Sequence, residues 1–249
     1  METPGAVWYD CITEAWELQT KNGEEKMKRI LIFGDSILKG VYYSEEEGRH
    51  RLYRERQEEM RAAGFDVKNC SVMGATVTTG EALLHRKLAE SLTDDSAVIL
   101  EYGGNDCDYR WKEISDDPGG DFLPNTPEDS FIRRYEACIE YVRRAGARVF
   151  LCNLVPLEPE KYMNWISRDL CRENILSWLG DVGHLYRWQT RYSEAAERIA
   201  RRTGCALIDL RRPFFETGRY GDFISEDGIH PTVEGHRIID RALLAAVGG

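Results

Sequence analysis

Ser36, Asp227 and His230 have the side-chain types that nucleophilic catalysis requires. Ser36 ends the "GDS" of "FGDSI", a sharp strand-to-helix turn that can hold a hydroxyl at a crevice with its backbone N–H at a helix start. Asp227 precedes His230 by three residues in "SEDGIHP", a spacing that lets a carboxylate reach the imidazole Nδ1–H and leaves Nε2 to accept a proton. Taken singly, Ser36 could simply cap a helix, and the Asp/His pair could be a helix-start carboxylate and a surface imidazole.

Two further segments carry hydrogen-bond donors. Gly74 in "NCSVMGAT" can bring a bare backbone N–H close to a ligand, and Asn105 in "EYGGNDCDYRW" offers a side-chain amide beside Asp106. Each is also ordinary turn chemistry. A hydroxyl, a free N–H, an amide donor and a His/Asp pair together supply every role that acyl transfer requires, provided that one crevice collects them. A phosphate-binding loop is rejected for "GDSILKG", because five residues rather than four separate its glycines and Val41 follows where lysine is needed.

The elements that must position these groups follow an alternating pattern. Short apolar runs predict strands at 29–33, 67–72, 97–102, 148–154 and 206–210. Longer amphipathic runs predict helices at 50–63, 79–92, 127–145, 187–203 and 232–247. Such βαβ alternation predicts a parallel sheet with helices on both faces. Ligands of such sheets bind at the carboxyl ends of the strands, where the candidate residues fall.

No linker rich in Pro, Gly or Ser divides the alternating part, so residues 28–249 are predicted to be a single domain. Residues 1–27 read as an N-terminal arm with several aromatic residues, which is either packed on its own domain or a homodimer contact. Residues 156–181 stand outside the alternation and predict a helical insertion that forms a lid or a pocket wall.

The sequence strongly resembles the SGNH or GDSL hydrolase (GDSL-like lipase/acylhydrolase) family, whose blocks occur in order as "FGDSI", the glycine of "NCSVMGAT", "GGND" and "DGIHP". The resemblance implies an α/β fold, a flavodoxin-like three-layer α/β/α sandwich around a five-stranded parallel sheet. It also implies a catalytic triad of Ser36, His230 and Asp227, with an oxyanion hole made by Ser36, Gly74 and Asn105. One departure, Ile37 where the short name has leucine, keeps an apolar residue behind the nucleophile.

The resemblance leads us to expect a serine esterase that removes short acyl groups from a small or polar alcohol, such as an acetylated sugar. An acyltransferase with the same triad, a lysophospholipase or thioesterase, and a noncatalytic module for acylated ligands stay open as alternatives. Polar and aromatic side chains near the site are candidates for contact with the substrate: Asp35, Asp106, Tyr109, Trp111 and Trp165.

Composition limits the partners. A net charge of −10 with interleaved signs argues against nucleic acid, and no apolar run is long enough for a membrane span. Seven scattered cysteines and the lack of an export signal predict reduced thiols and a cytoplasmic location. No metal and no cofactor is expected. The remaining histidines lack a carboxylate or cysteine at metal spacing and are interpreted as structural or surface residues: His50, His85, His184 and His236.

Overall fold

The computed structural model of this protein describes residues 29–92 and 96–248. Its strands are β1 (Arg29–Gly34), β2 (Val41–Ser44), β3 (Arg49–Leu52), β4 (Asp66–Asn69), β5 (Ser96–Glu101), β6 (Arg148–Cys152) and β7 (Ala206–Ile208). Its α-helices are α1 (Ser36–Lys39), α2 (Glu55–Ala62), α3 (Val77–Lys87), α4 (Trp111–Asp116), α5 (Glu128–Arg144), α6 (Pro159–Ile166), α7 (Arg172–Leu179), α8 (Gly183–Thr203), α9 (Arg212–Glu216) and α10 (Val233–Gly248). A single 3₁₀ turn covers Tyr220–Phe223 in the described part.

The central sheet has five parallel strands in the order β4-β1-β5-β6-β7, and all five were predicted from the sequence. Strand β1 lies near the middle and is almost fully buried, because both of its faces are covered. Leu31 and Phe33 point to one face, while Ile30 and Ile32 point to the other. The continuous apolar run therefore fits a strand buried on both sides.

Helices cover both faces of the sheet. On one face, α3, α5 and α8 pack over β1, β5 and β6, and α5 buries Phe131, Tyr135, Ile139 and Val142 at helical spacing. On the other face lie α1, α2, α9 and α10. This α/β/α arrangement is the predicted three-layer sandwich.

Two predicted helix boundaries were wrong, the end of the helix predicted at 79–92, which stops at Lys87, and the start of the first predicted helix. The helix predicted at 50–63 begins only at Glu55, because Arg49–Leu52 forms β3 of an antiparallel hairpin with β2. The register pairs Tyr43 with His50. Backbone pairing with a neighbouring strand thus outweighs the local helical pattern, as tertiary context often does.

The predicted insertion contains α6 and α7, which pack with α4 and the start of α8 around a third apolar cluster. This cluster lies beside the carboxyl edge of the sheet and includes Tyr109, Trp111, Leu157 and Leu179. The predicted N-terminal arm falls outside the described residues. Within the described ranges, every helix is too short or too polar to cross a bilayer.

Candidate active site

Ser36 lies at the first turn of α1, where β1 ends. The residue that caps this helix is Asp35, whose carboxylate Oδ1 accepts a hydrogen bond from the N–H of Ile37 at 2.8 Å. Since Asp35 satisfies the helix start, the Ser36 hydroxyl is not needed as a cap. It instead donates to Nε2 of His230 at 2.8 Å.

The Asp227 and His230 side chains interact as the three-residue spacing predicts. His230 Nδ1–H donates to Oδ2 of Asp227 at 2.6 Å, which leaves Nε2 facing Ser36. The other carboxylate oxygen, Oδ1, accepts the backbone N–H groups of Ile229 and His230 at 3.1 and 3.0 Å. The structure therefore brings the serine, the histidine and the carboxylate into one hydrogen-bonded chain.

Burial alone would raise the pKa of Asp227, but the hydrogen bonds and charge of His230 outweigh it and lower that pKa to about 2. Asp227 is fully buried and stays ionised at neutral pH. An ionised carboxylate at Nδ1 fixes the imidazole tautomer that can accept a proton at Nε2.

The turn that carries this pair depends on a glycine. Gly228 has a φ of 78°, and a Cβ placed there would lie 2.2 Å from the backbone nitrogen of Tyr162 in α6. Only glycine permits both the left-handed backbone and this close approach. The insertion therefore presses directly on the loop between Asp227 and His230.

The two candidate oxyanion donors lie on adjacent loops. Gly74 has a φ of 74°, and a Cβ placed there would meet open space. The amide Nδ2 of Asn105 donates to Oδ2 of Asp35 at 2.9 Å and, less closely, to the carbonyl of Ala75 at 3.2 Å. Asn105 is thus held beside the Ser36 turn and next to the loop of Gly74.

Asp35 connects these features through a buried carboxyl pair. Besides capping α1 and holding Asn105, it is hydrogen-bonded to Glu101 at the end of β5. Burial, together with the nearby charge of Asp35, raises the pKa of Glu101 well above its ordinary value. Glu101 therefore carries the proton of the pair and donates it to the Asp35 carboxylate.

Among the predicted substrate contacts, Asp106 is a correction. Its fully buried carboxylate accepts the N–H of Val77 at 3.0 and 3.1 Å, at the start of α3, and burial raises its pKa to about 7. Asp106 therefore supports a helix terminus and does not line the cavity described next. Its position after Asn105 in the sequence gave no sign that its side chain turns inward.

A cavity opens beside Ser36 and Asn105 and runs into the third apolar cluster. Its volume is about 740 Å³, counting the mouth that is open to solvent. The predicted contacts Asp35, Tyr109 and Trp111 line it. Several other wall residues were not predicted from the sequence: Ile229, Leu157, Tyr162, Leu179 and Leu185.

Trp165 lies elsewhere, at the end of α6 on the His230 side. Its ring meets the edges of Tyr43 and His50, with ring centroids 4.8 and 5.7 Å apart, and the guanidinium of Arg168 stacks on it at 3.8 Å. Trp165 is therefore separate from the cavity lined by Tyr109 and Trp111.

His50 was interpreted from the sequence as a residue without a carboxylate partner, and this was wrong. From β3, its Nε2–H donates to the same Asp227 oxygen that His230 uses, at 2.9 Å. The two imidazole rings are 5.0 Å apart. No local signal could have identified this contact, because 177 residues separate its partners in the chain.

The sequence matches the model of the GDSL-like lipase/acylhydrolase family over residues 32–238, which include Ser36, Gly74, Asn105 and His230. The chain belongs to this family. This GDSL-like acylhydrolase is a carboxylic ester hydrolase, as the resemblance predicted.

Solved structures similar to this acylhydrolase share its fold at low sequence identity. They include a lipase/acylhydrolase from Enterococcus faecalis (17% identity, TM-score 0.62, covering 90% of this chain and 96% of that one). Another is a mutant of Axe2, an acetyl-xylooligosaccharide esterase from Geobacillus (18%, TM-score 0.61, covering 90% and 95%). A third is LAE5, an alpha/beta hydrolase from the metagenome of Lake Arreo, Spain (18%, TM-score 0.62, covering 90% and 96%). No curated protein sequence matches the chain.

Proposed function

We propose that this protein is a serine esterase that cleaves short-chain esters of a small or polar alcohol through an acyl-enzyme on Ser36. The hydrogen-bonded chain from Ser36 through His230 to the ionised Asp227 carries the proposal. A serine is a weak nucleophile unless a base takes its proton as it attacks, and His230 Nε2 lies 2.8 Å from the hydroxyl.

In the first half of the reaction, Ser36 Oγ attacks the ester carbonyl while its proton passes to His230 Nε2. The imidazolium, stabilised by Asp227, then gives this proton to the departing alcohol oxygen. In the second half, water takes the place of the alcohol: His230 removes its proton as its oxygen attacks the acyl carbonyl, and the imidazolium then returns the proton to Ser36 Oγ as the carboxylic acid leaves. His230 thus acts first as a base and then as an acid in each half.

The negative oxygen of the tetrahedral intermediate needs donors on the side of Ser36 away from the base. We assign the N–H groups of Ser36 and Gly74 and the amide of Asn105 to it. In the resting site the Asn105 amide is held firmly by Asp35, and its contact to the Ala75 carbonyl is longer. The amide hydrogen of Asn105 that faces the Ala75 carbonyl is therefore the one that would turn to the oxyanion.

The cavity supports an assignment of the two halves of the substrate. Ser36 and Asn105 line it, whereas His230 does not. The alcohol oxygen must face His230 to receive a proton, so the acyl substituent is the half that enters the cavity. The alcohol then extends toward the side of His230 where Tyr43, His50 and Trp165 lie. That Axe2 acts on acetylated xylooligosaccharides favours an acetylated sugar as substrate.

The test is hydrolysis of p-nitrophenyl esters from acetyl to decanoyl by the wild type and by Ser36→Ala. We expect turnover of the shorter esters, reduced on the order of 10⁶-fold in kcat by Ser36→Ala. Ser91→Ala is a matched control, because that hydroxyl contacts Lys68 away from the site. Near-normal turnover by Ser36→Ala would overturn the proposal.

A further inference from the structure

The contact between His50 and Asp227 places a second imidazole at the candidate triad. Oδ2 of Asp227 receives His230 Nδ1 at 2.6 Å and His50 Nε2 at 2.9 Å. The hairpin holds His50 in place: its ring meets the edges of Tyr43 and Trp165, and the N–H of Tyr43 donates to the Ser225 hydroxyl at 3.4 Å. The ester hydrolysis proposed above does not need this second ring.

Two imidazole nitrogens and one carboxylate oxygen are a ligand set for divalent transition metals. One such atom from each of His50, Asp227 and His230 lies within 4.8 Å of the others, and no other three His, Cys, Asp or Glu side chains converge so closely in residues 29–92 and 96–248. Imidazole and carboxylate together suit Zn²⁺, Ni²⁺ or Cu²⁺, whereas Mg²⁺ and Ca²⁺ prefer sites made of oxygen alone.

We propose that His50, Asp227 and His230 form a reversible inhibitory site for a divalent transition metal such as Zn²⁺. The metal binds His50 Nε2, Asp227 Oδ2 and His230 Nδ1. Each imidazole moves its proton to its other nitrogen, His50 to Nδ1 and His230 to Nε2, so no proton is lost and nothing is oxidised. With a proton on Nε2, His230 can no longer accept one from Ser36. The inhibitory effect, unlike the binding, rests on the proposed esterase mechanism.

The structure indicates which ligand adjusts. Zinc–nitrogen distances of about 2.0–2.1 Å place tetrahedral ligand atoms about 3.3 Å apart. The two contacts to Asp227 must therefore lengthen by roughly half an ångström, while the two imidazole nitrogens, up to 4.8 Å apart, must approach each other. Asp227 is fixed, because two backbone N–H groups hold its Oδ1. His50 has a side chain that is 30% exposed, so it is the ligand whose ring shifts to reach this spacing and whose open side admits the ion from solvent.

Binding is tested on inert protein by calorimetric titration of Ser36→Ala with ZnCl₂. The matched variant is Ser36→Ala/His50→Gln, because glutamine keeps an amide donor for Asp227 but lacks the imidazole nitrogen that binds metal. We expect one zinc site in the first protein and, in the second, either no site or an affinity reduced more than about tenfold. Removal of a residue that only hydrogen-bonds to a metal ligand already lowers metal affinity about 10- to 100-fold, so loss of a ligand itself should cost at least as much. Weaker zinc sites elsewhere would be common to both titrations. Equal titrations would overturn the proposal.

Inhibition is tested by ester turnover in increasing zinc, with EDTA to reverse it and MgCl₂ as the negative control. We expect His50→Gln to need more than about tenfold more zinc for half-inhibition than the wild type, by the same argument. His85→Gln, an exposed histidine of α3, should keep wild-type sensitivity. Unchanged zinc sensitivity in His50→Gln would contradict the site. Lack of Ser36-dependent turnover in EDTA would contradict the proposed function, and the titrations would still decide whether the metal site exists.

Discussion

Asp35 and Asn105 show how single side chains prepare the Ser36 turn. Asp35 caps α1 with one carboxylate oxygen and holds the Asn105 amide with the other, so the helix start and the candidate oxyanion donor share one anchor. Because Asp35 takes the capping role, the Ser36 hydroxyl faces His230. Asp35 therefore decides between the two interpretations of Ser36, because it leaves no capping role for the serine and favours the candidate nucleophile.

Asn105→Ala removes the only side-chain donor assigned to the oxyanion. We expect kcat for a short ester to fall about 10²- to 10³-fold with little change in KM, because the lost hydrogen bond strengthens only as charge develops. Steady-state kinetics on p-nitrophenyl acetate would measure this. The control is Asn125→Ala, whose side-chain amide donates to the backbone carbonyl of Asn105 at 3.0 Å. A fall confined to KM would contradict the assignment.

Among the elements, the insertion and the hairpin enclose opposite sides of Ser36. Helices α6 and α7 form walls of the cavity on the side assigned to the acyl group. Strands β2 and β3 bring Tyr43 and His50 to the His230 side. Neither element belongs to the central sheet, whose strand ends hold Ser36 and Asn105.

Leu179→Trp, at the end of α7, tests the acyl assignment. The larger ring should fill part of the cavity and shift the preferred ester toward acetyl. We expect kcat/KM for the hexanoyl ester to be at least about tenfold lower than in the wild type, because each methylene group bound in such a pocket is worth about 1–3 kcal/mol. The chain-length profile of p-nitrophenyl esters measures this shift. Leu176→Trp, on the same helix but only partly buried, is the control. An unchanged profile would show that the acyl group lies elsewhere.

A buried polar network joins α2, α10 and the hairpin behind the site. Arg56 pairs with Asp240, contacts Nδ1 of His236 at 3.0 Å, and donates to the carbonyl of Leu38 at 2.6 Å. His236 in turn contacts the carbonyl of Val41 at 2.9 Å. His236, predicted to be structural or exposed, is fully buried in this network.

Arg56→Met should lower the free energy of unfolding by about 3–5 kcal/mol, because it leaves the buried Asp240 carboxylate without its cation. Urea denaturation would measure the loss. Arg61→Met changes an exposed arginine of the same helix and should stay within about 0.5 kcal/mol of the wild type. If the two variants were equally stable, the network would contribute little to the fold.

For the molecule as a whole, the carboxyl pair of Asp35 and Glu101 links stability to pH. Glu101 keeps a proton in the folded state that it loses in the unfolded chain above its ordinary pKa of 4.5. Folding must then take up a proton, so this pair's contribution to stability is fully present below pH 4.5 and declines as pH rises toward the raised pKa. The slope is at most about 1.4 kcal/mol per pH unit.

Glu101→Gln should remove this decline, because an amide can donate to Asp35 without taking up a proton. We expect the difference in Tm between variant and wild type to rise in the variant's favour from pH 5 to pH 8, as followed by circular dichroism. Glu113→Gln, an exposed residue of α4, should show a constant difference. A constant difference for Glu101→Gln as well would mean that Glu101 is ionised in the folded protein.

Much of the fold and of the candidate site follows from local patterns in the chain. Apolar runs predict the five strands, and residues directly after them, such as Ser36 and Asn105, meet because parallel strands end at the same edge. The contact between Asp227 and His230 also follows from local geometry, since three residues separate them. These features depend on neighbours in sequence or on the rules of parallel sheets.

Other features depend on contacts between distant parts of the chain. The hairpin of Arg49–Leu52, the meeting of His50 with Asp227 and the inward turn of Asp106 were not predicted. Asp106 and its partner are 29 residues apart in the sequence, and His50 and its partner are 177 residues apart. The local pattern of apolar and polar residues carries no information about contacts over such separations. Burial also reverses ordinary behaviour, because desolvation keeps a proton on Glu101 that the isolated side chain would lose at neutral pH. Only the packed tertiary structure creates these pairs and that low-dielectric surrounding.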